Sequence, residues 1–268
     1  MAAVARQLRD AGCVFAEEEA QLLLAVATTS ADLAAMVTER ATGTPLEHVV
    51  GWAEFCGLRV VLAPGVFVPR RRTELLAAQA AALARRGAVV VDLCTGSGAV
   101  GAALMAAVED IELHAVDIDP AAVQCARGNL EPAARVYEGD LYEPLPGRLR
   151  GRVGVLVANA PYVPSAAIAL MPAEARTYEP GVALDGGVDG LDVLRRVISS
   201  APSWLAPDGH VVVEAGEQQV GQLCAAMERS GLVARIARSG ALDATVVIGG
   251  PAEQADVDER AVLGQRGR

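Results

Sequence analysis

Lysine is missing from this sequence: all 23 basic residues are arginine. That removes Schiff-base chemistry, which needs a lysine amine. Acidic residues outnumber the basic ones, and the formal net charge is −10. Tight binding to DNA or RNA rests on cancelling phosphate charge, so a chain this acidic is a poor candidate for it. Aromatic residues make up only 3% of a chain that is 52% hydrophobic, so the core must be built from Ala, Val and Leu. The longest apolar runs are broken by Gly, Arg or Asp and fall short of the roughly 20 residues a membrane span needs. Met1–Asp10 holds no apolar signal-peptide core. These absences predict a soluble, cytoplasmic protein. Cys13, Cys56, Cys94, Cys125 and Cys224 are odd in number and form no C-x-x-C pair, so neither a disulfide framework nor a zinc site is indicated and the thiols should be reduced. His48, His114 and His210 lie far apart, and each reads as structural.

The 268 residues suit one large domain with a small appendage. Residues 1–43 read as two or three short helices. Glu17-Glu18-Glu19 supplies an acidic first turn before Leu22-Leu23-Leu24, and Ser30 or Asp32 is placed to cap a helix that runs to Arg40 and stops at Gly43 and Pro45. Residues 44–70 read as a β-hairpin linker, with strand-like stretches at 54–62 and 66–68 around a turn at Ala63-Pro64-Gly65. A helix follows from Thr73 through Leu83. Residues 71–250 then alternate strand candidates at 88–93, 112–117, 134–138, 153–158, 209–214, 232–237 and 243–249 with helix candidates at 99–109, 119–130, 189–205 and 216–229. Such alternation predicts an α/β fold: a seven-stranded, mostly parallel sheet covered on both faces, its last two strands a hairpin. Residues 251–268 lack apolar periodicity and are expected to be disordered.

Two stretches carry chemistry. The first is Asn159-Ala160-Pro161-Tyr162, which ends the buried strand 153–158. Ligands of open parallel sheets bind at the carboxyl ends of strands. The Asn159 carboxamide oxygen and the Ala160 carbonyl can both accept from one planar NH2 group, and Pro161 biases Ala160 toward an extended conformation. Tyr162 offers a face for that group to stack on. Two acceptors and a platform would turn the nitrogen toward an electrophile.

The second is Val89-Val90-Val91-Asp92-Leu93-Cys94-Thr95-Gly96-Ser97-Gly98-Ala99-Val100-Gly101, a strand, a tight glycine turn and a helix start. Its glycines let backbone N–H groups approach a ligand at the helix N-terminus. The spacing also satisfies the dinucleotide fingerprint, a weak signal alone. Acids at successive strand ends favour S-adenosyl-L-methionine instead. Asp92 can attract an ammonium or an ordered water, Asp117 can accept from ribose hydroxyls, and Asp140 can accept from an adenine amino group that Leu141 would cover. The cofactor-binding set is therefore Asp92, Cys94, Thr95, Gly96, Ser97, Gly98, Asp117, Asp140 and Leu141, with Asn159 shared between cofactor and acceptor substrate.

Together with these stretches, Gly43-Thr44-Pro45-Leu46, Glu54-Phe55-Cys56-Gly57, Val68-Pro69-Arg70 with Thr73-Glu74, Tyr178-Glu179-Pro180, Gly187, Asp189-Gly190 and Glu214-Ala215-Gly216 with Gln219 form an ordered set. On these residues the chain resembles the HemK family, also called PrmC, of protein-(glutamine-N5) methyltransferases. The resemblance implies a Rossmann-like class I S-adenosylmethionine-dependent methyltransferase fold. It also implies methyl transfer to a glutamine side-chain amide in a protein substrate, with release factors and ribosomal proteins as the known target classes. The family proper has Asn-Pro-Pro-Tyr where this chain has Ala160, which keeps the carbonyl and loses the fixed φ; in this the chain resembles a related branch with Asn-Ala-Pro-Tyr, whose protein substrate is not established. A positive Arg70-Arg71-Arg72 also stands where the family carries a proline and an acid.

Three other readings stay open on the residues alone. One is an amino-methyltransferase acting on a nucleic-acid base, since adenine N6 also presents a planar NH2; the net charge counts against it. One is a small-molecule methyltransferase. One is a non-catalytic cofactor-binding homologue, which the intact Asn159, Pro161 and Tyr162 disfavour.

Overall fold

A computed structural model describes residues 1–252. Most of the tail expected to be disordered, 251–268, lies outside the described residues. The chain opens with α1 (Ala2–Asp10), α2 (Ala16–Val26) and α3 (Ser30–Ala41). Leu8, Ala20, Leu23, Met36 and Val37 from these helices bury one another in a cluster of their own. The cap of α3 is neither Ser30 nor Asp32 but Thr29, whose hydroxyl accepts from the Asp32 N–H at 3.1 Å. The Asp32 carboxylate turns back to accept from the Thr28 N–H at 2.9 Å. The two side chains thus satisfy amides on either side of the helix start.

The segment read as a hairpin linker differs from expectation. A short helix, α4 (Leu46–Val50), comes first. The hairpin that follows pairs β1 (Trp52–Phe55) with β2 (Leu58–Val61) about Cys56-Gly57, and not about Ala63-Pro64-Gly65. Cys56 and Gly57 take φ of 50° and 74°, the left-handed pair that a tight two-residue hairpin turn requires. Val66–Val68 does not return as a strand. The Val61 N–H donates to Asn129 Oδ1 at 3.0 Å and the Val61 carbonyl accepts from Asn129 Nδ2 at 2.8 Å, so no ladder is left at that residue. Val66 and Val68 bury instead, with Leu62, against Ala122 and Cys125.

After α5 (Glu74–Leu83), strands and helices alternate: β3 (Val89–Leu93), α6 (Ala99–Ala107), β4 (Glu112–Asp117), α7 (Pro120–Leu130), β5 (Arg135–Glu138) and β6 (Val153–Ala158). Two short helices, α8 (Ala173–Tyr178) and α9 (Gly181–Leu184), interrupt the loop beyond β6. Then come α10 (Asp192–Ser200), β7 (Leu205–Glu214), α11 (Val220–Arg229), β8 (Val233–Ser239) and β9 (Ala244–Gly250). The seven strands from β3 onward form one sheet in the order β5-β4-β3-β6-β7-β9-β8, parallel except where β9 pairs with β7 and β8.

Residues alternate between the two faces of this sheet. Val89, Val91, Leu156, Val211 and Val213 pack with Leu194, Ile198, Leu223 and Met227 of α10 and α11. Val90, Val155, Val157 and Val212 pack with Leu76, Ala80, Leu104 and Val123 of α5, α6 and α7. Burial on both faces explains why these strands are unbroken runs of Val and Leu with no polar face.

The strand order reverses between β3 and β6. From β3 the chain builds outward through β4 to β5, and β6 then returns to the other side of β3. Leu93 and Ala158 are register partners at the carboxyl ends of these strands. The glycine turn that follows Leu93 and the tetrapeptide that follows Ala158 therefore leave the sheet side by side, at the point where ligands of open sheets bind.

Candidate active site

The glycine turn is built on left-handed residues. Cys94, Gly96 and Gly98 have φ of 56°, 57° and 83°. A side chain added at Gly96 would point into open space, so its backbone is bare to the cleft. At Gly98 an added Cβ would lie 2.9 Å from Leu130, so that glycine serves the packing of α6 on α7. Asn129 ties the turn to the hairpin, donating to both the Ser97 and the Val61 carbonyls at 2.8 Å.

Asp92 is buried beneath the turn. One oxygen, Oδ2, accepts from the Thr95 hydroxyl at 2.6 Å and the Gly101 N–H at 3.2 Å. Burial pushes its carboxyl up to about 7, against the pull of those two donors. Asp117 closes β4 and accepts from the Gly96 N–H at 2.8 Å and the Asp119 N–H at 3.0 Å. Burial raises its pKa as well. Each acid thus holds the turn in shape through backbone and side-chain donors.

The tetrapeptide is held from behind. The Tyr162 hydroxyl donates to Glu214 Oε1 at 3.0 Å, and burial together with that carboxylate raises the phenol pKa. Gln219 Nε2 donates to the Tyr162 carbonyl at 2.9 Å and to that of Asp189 at 3.2 Å. A Cβ at Gly190 would come within 2.2 Å of the Tyr162 carbonyl oxygen, and one at Gly186 within 2.7 Å of the Pro161 carbonyl oxygen. The strap 184–190 lies flat against the tetrapeptide only because those positions are glycine. Asn159 Nδ2 donates to Thr73 Oγ1 at 3.4 Å.

Asp92, Cys94, Thr95, Gly96, Ser97, Asp117, Asn159, Ala160, Pro161 and Tyr162 line one cleft. Gly98, Asp140 and Leu141 are not among its lining residues. Asp140 pairs with Arg196 at 2.7 Å, and Leu141 is buried in the hydrophobic core with φ of 49°. Sequence reasoning missed Phe67, Ile118 and Val182, which add apolar wall to the cleft, and Thr73, which reaches it from the start of α5. Glu179 is buried and ion-paired with Arg70. Arg176 donates to the Met171 carbonyl at 3.0 Å, within its own loop.

A family model described as the methyltransferase small domain covers residues 57–175. Over 199 residues the chain is 38% identical to a release factor glutamine methyltransferase of Geobacter sulfurreducens, spanning 73% of this chain and 69% of that one. Over 203 residues it is 36% identical to the 4-amino-L-phenylalanine/4-methylamino-L-phenylalanine methyltransferase of Streptomyces pristinaespiralis, again 73% of this chain and 69% of that one. Among solved structures, a methyltransferase from Pyrococcus furiosus superposes with a TM-score of 0.53 at 16% identity, over 72% of this chain and 89% of that one. That last likeness is one of fold: the Rossmann-like class I methyltransferase architecture.

Proposed function

We propose, from the premise that this chain belongs to the HemK/PrmC-like family of release factor glutamine methyltransferases, that it methylates the side-chain amide nitrogen of a glutamine in a protein, using S-adenosyl-L-methionine. Translation release factors are the substrate class named for its relatives. The observation that carries the reading is the register of β3 on β6. It sets a glycine turn suited to a nucleoside cofactor beside a tetrapeptide suited to an NH2 group, in one cleft.

The residues of the turn fit that cofactor. Ser97 Oγ lines the cleft, is buried, and has no hydrogen-bond partner among the described residues, so a ligand polar atom would satisfy it. Gly96 leaves backbone exposed beside it. Asp117, and Asp92 once it ionises near pH 7, supply negative charge to a ligand that carries an ammonium and a sulfonium. Thr95, Gly96, Ser97 and Asp117 would hold the nucleoside side, with Asp92 and Cys94 toward the amino-acid side. Asp140 and Leu141 would join only if the adenine reaches past the turn.

When bound, the cofactor supplies a methyl group already activated on positive sulfur. This chain's residues have the other task, because an amide nitrogen is a poor nucleophile. The Asn159 carboxamide oxygen and the Ala160 carbonyl take the two N–H bonds of the incoming amide, which fixes the nitrogen and raises its electron density. Pro161 and the strap 184–190 keep those acceptors in place, and Tyr162 stacks on the planar group. Water on the far side is displaced by Phe67, Ile118 and Val182. No strong general base is required, since the nitrogen sheds its proton after it becomes cationic.

A second reading draws on the aryl-amine relative: an aromatic amine also presents a planar NH2, and that chain is 36% identical to this one against 38% for the release-factor enzyme. The protein reading is preferred because it accounts for the larger group of relatives. The five free cysteines fit a reducing compartment, and we place the protein in the cytoplasm. No helix among the described residues is long and apolar enough to cross a membrane.

The test offers the purified chain S-adenosyl-L-methionine with a release factor in one reaction and 4-amino-L-phenylalanine in another. Methyl on a release-factor glutamine, with the free amino acid untouched, supports the first reading. The reverse outcome replaces it with the second.

A further inference from the structure

One side chain outside the cleft holds both of its sides. Asn129 stands in the last turn of α7 and is not among the residues that line the cleft. Its Nδ2 donates to the Val61 carbonyl and to the Ser97 carbonyl, each at 2.8 Å. Its Oδ1 accepts from the Val61 N–H at 3.0 Å. These partners fix which way round the amide lies. Turned over, its oxygen would face two carbonyls and its NH2 would face an N–H.

The partners belong to different parts of the site. Ser97 sits in the glycine turn, where Asn129 ties down its carbonyl and its buried Oγ has no partner among the described residues. The neighbouring Gly96 N–H is held by Asp117 at 2.8 Å. The turn is thus gripped from two directions, and Asn129 is one of them. Val61 ends β2 and leads into the segment 62–73. Leu62, Val66 and Val68 of that segment rest on Ala122 and Cys125 of α7, the helix that carries Asn129. Phe67, Pro69, Arg70, Arg72 and Thr73 then wall the cleft. At the far end Thr73 Oγ1 lies 3.4 Å from Asn159 Nδ2, and the Arg72 guanidinium lies 5.9 Å from the centre of the Tyr162 ring. The wall anchored at Val61 therefore reaches the tetrapeptide.

We propose that Asn129 is a positioning residue that sets the cofactor turn and the acceptor wall against one another, and so couples the two halves of the site. This rests on the functional reading above, in which the turn takes S-adenosyl-L-methionine and the tetrapeptide takes the acceptor. A ligand atom that engages Ser97 fixes the carbonyl that shares its donor with Val61. The coupling is reciprocal: what the cofactor gains from a fixed wall, the acceptor gains from a bound cofactor. Aspartate has the same shape but no proton to give when ionised, so it cannot do this work.

The sequence contains two asparagines, Asn129 and Asn159. Selective 15N-asparagine labelling of the whole chain therefore yields two side-chain NH2 pairs in an NMR spectrum, and Asn159→Ala, which leaves one pair, assigns both. Titration of wild type with S-adenosyl-L-methionine should shift the Asn129 pair, although that residue lies outside the cleft. Asn129→Asp keeps an oxygen for the Val61 N–H and removes both donors. Calorimetry well below its unfolding temperature should find the Kd for S-adenosyl-L-methionine raised roughly 3- to 10-fold, the worth of about one net hydrogen bond. KM for a release factor, at cofactor concentrations that saturate the variant, should rise by a similar factor. Asn129→Ala should show the same two changes without an added charge. A residue that only stabilised the fold would lower the unfolding temperature and leave both constants alone.

Should neither variant fold, the wild-type titration decides, and an Asn129 pair unmoved by bound cofactor overturns the proposal. Unchanged cofactor affinity in a folded variant overturns it too, as does a KM that stays at the wild-type value. A wild-type chain that binds cofactor and methylates no glutamine overturns the functional reading instead; titration and calorimetry still decide whether Asn129 sets the turn.

Discussion

The Tyr162 phenol and the Glu214 carboxylate meet at 3.0 Å, joining the residue that ends the tetrapeptide to the end of β7. Tyr162→Phe keeps the ring face and removes the phenol donor to a carboxylate that is 2% exposed. Leaving a buried acceptor short of a partner costs about 1–3 kcal/mol. Chemical denaturation should show a loss in that range, with methyl transfer reduced but measurable. Tyr162→Ala, which also removes the platform and the buried ring, should lose far more activity and more stability.

Gly190→Ala tests the strap. The added methyl would sit 2.2 Å from the Tyr162 carbonyl oxygen, at a φ of 78° that side chains rarely adopt. The strap must lift, and Gln219 then loses its grip on the Tyr162 carbonyl. The expected outcome is a turnover loss of at least tenfold with cofactor affinity nearly intact, since the strap touches the tetrapeptide and not the glycine turn.

Asp92 gives a pH signature. Burial raises its carboxyl from the usual 3.8 to about 7 in the folded chain. Between those values the folded state keeps a proton that the unfolded chain has released. The contribution of this group to stability therefore falls as pH rises from about 4 to about 7 and levels off above that. Asp92→Asn removes the titration while keeping an oxygen for Thr95 and Gly101. Thermal unfolding of wild type minus variant, measured across that window, should slope downward and flatten near neutrality.

Asn159→Ala separates binding from chemistry. The side chain supplies one of two acceptors for the substrate NH2, and removal of one such polarising group costs about 100-fold or more in turnover. Calorimetry with S-adenosyl-L-methionine should find affinity within a few-fold of wild type. Full turnover in this variant would leave the tetrapeptide without its assigned role.

The sequence reveals some of this more readily than the rest. β4 and β6 run over the same residues the pattern predicts, because Val153–Ala158 is an apolar run and the apolar Leu113, Ala115 and Val116 of β4 lie between charged ends. The side-by-side exit of the glycine turn and the tetrapeptide is legible only in part: each motif is visible, but their adjacency comes from the strand order. The hairpin turn at Cys56-Gly57 was hidden because Ala63-Pro64-Gly65 is the stronger turn signal, and the Asn129 side chain that occupies Val61 lies 68 residues away. Asp140, expected as an adenine acceptor, follows the end of β5. Its partner Arg196, on α10, is invisible to local reasoning. Thr73 escaped for the same reason: it meets Asn159, 86 residues away, only in the folded chain.

The central claim is an arrangement, so a structure of the chain with bound cofactor and a glutamine-bearing release-factor segment tests it most directly. The account predicts that the Asn159 side-chain oxygen and the Ala160 carbonyl hold the glutamine NH2, with its nitrogen about 3–3.5 Å from the sulfonium methyl carbon and in line with the bond to be broken. A sulfonium methyl that points away from this corner, or a glutamine amide bound elsewhere, would contradict it.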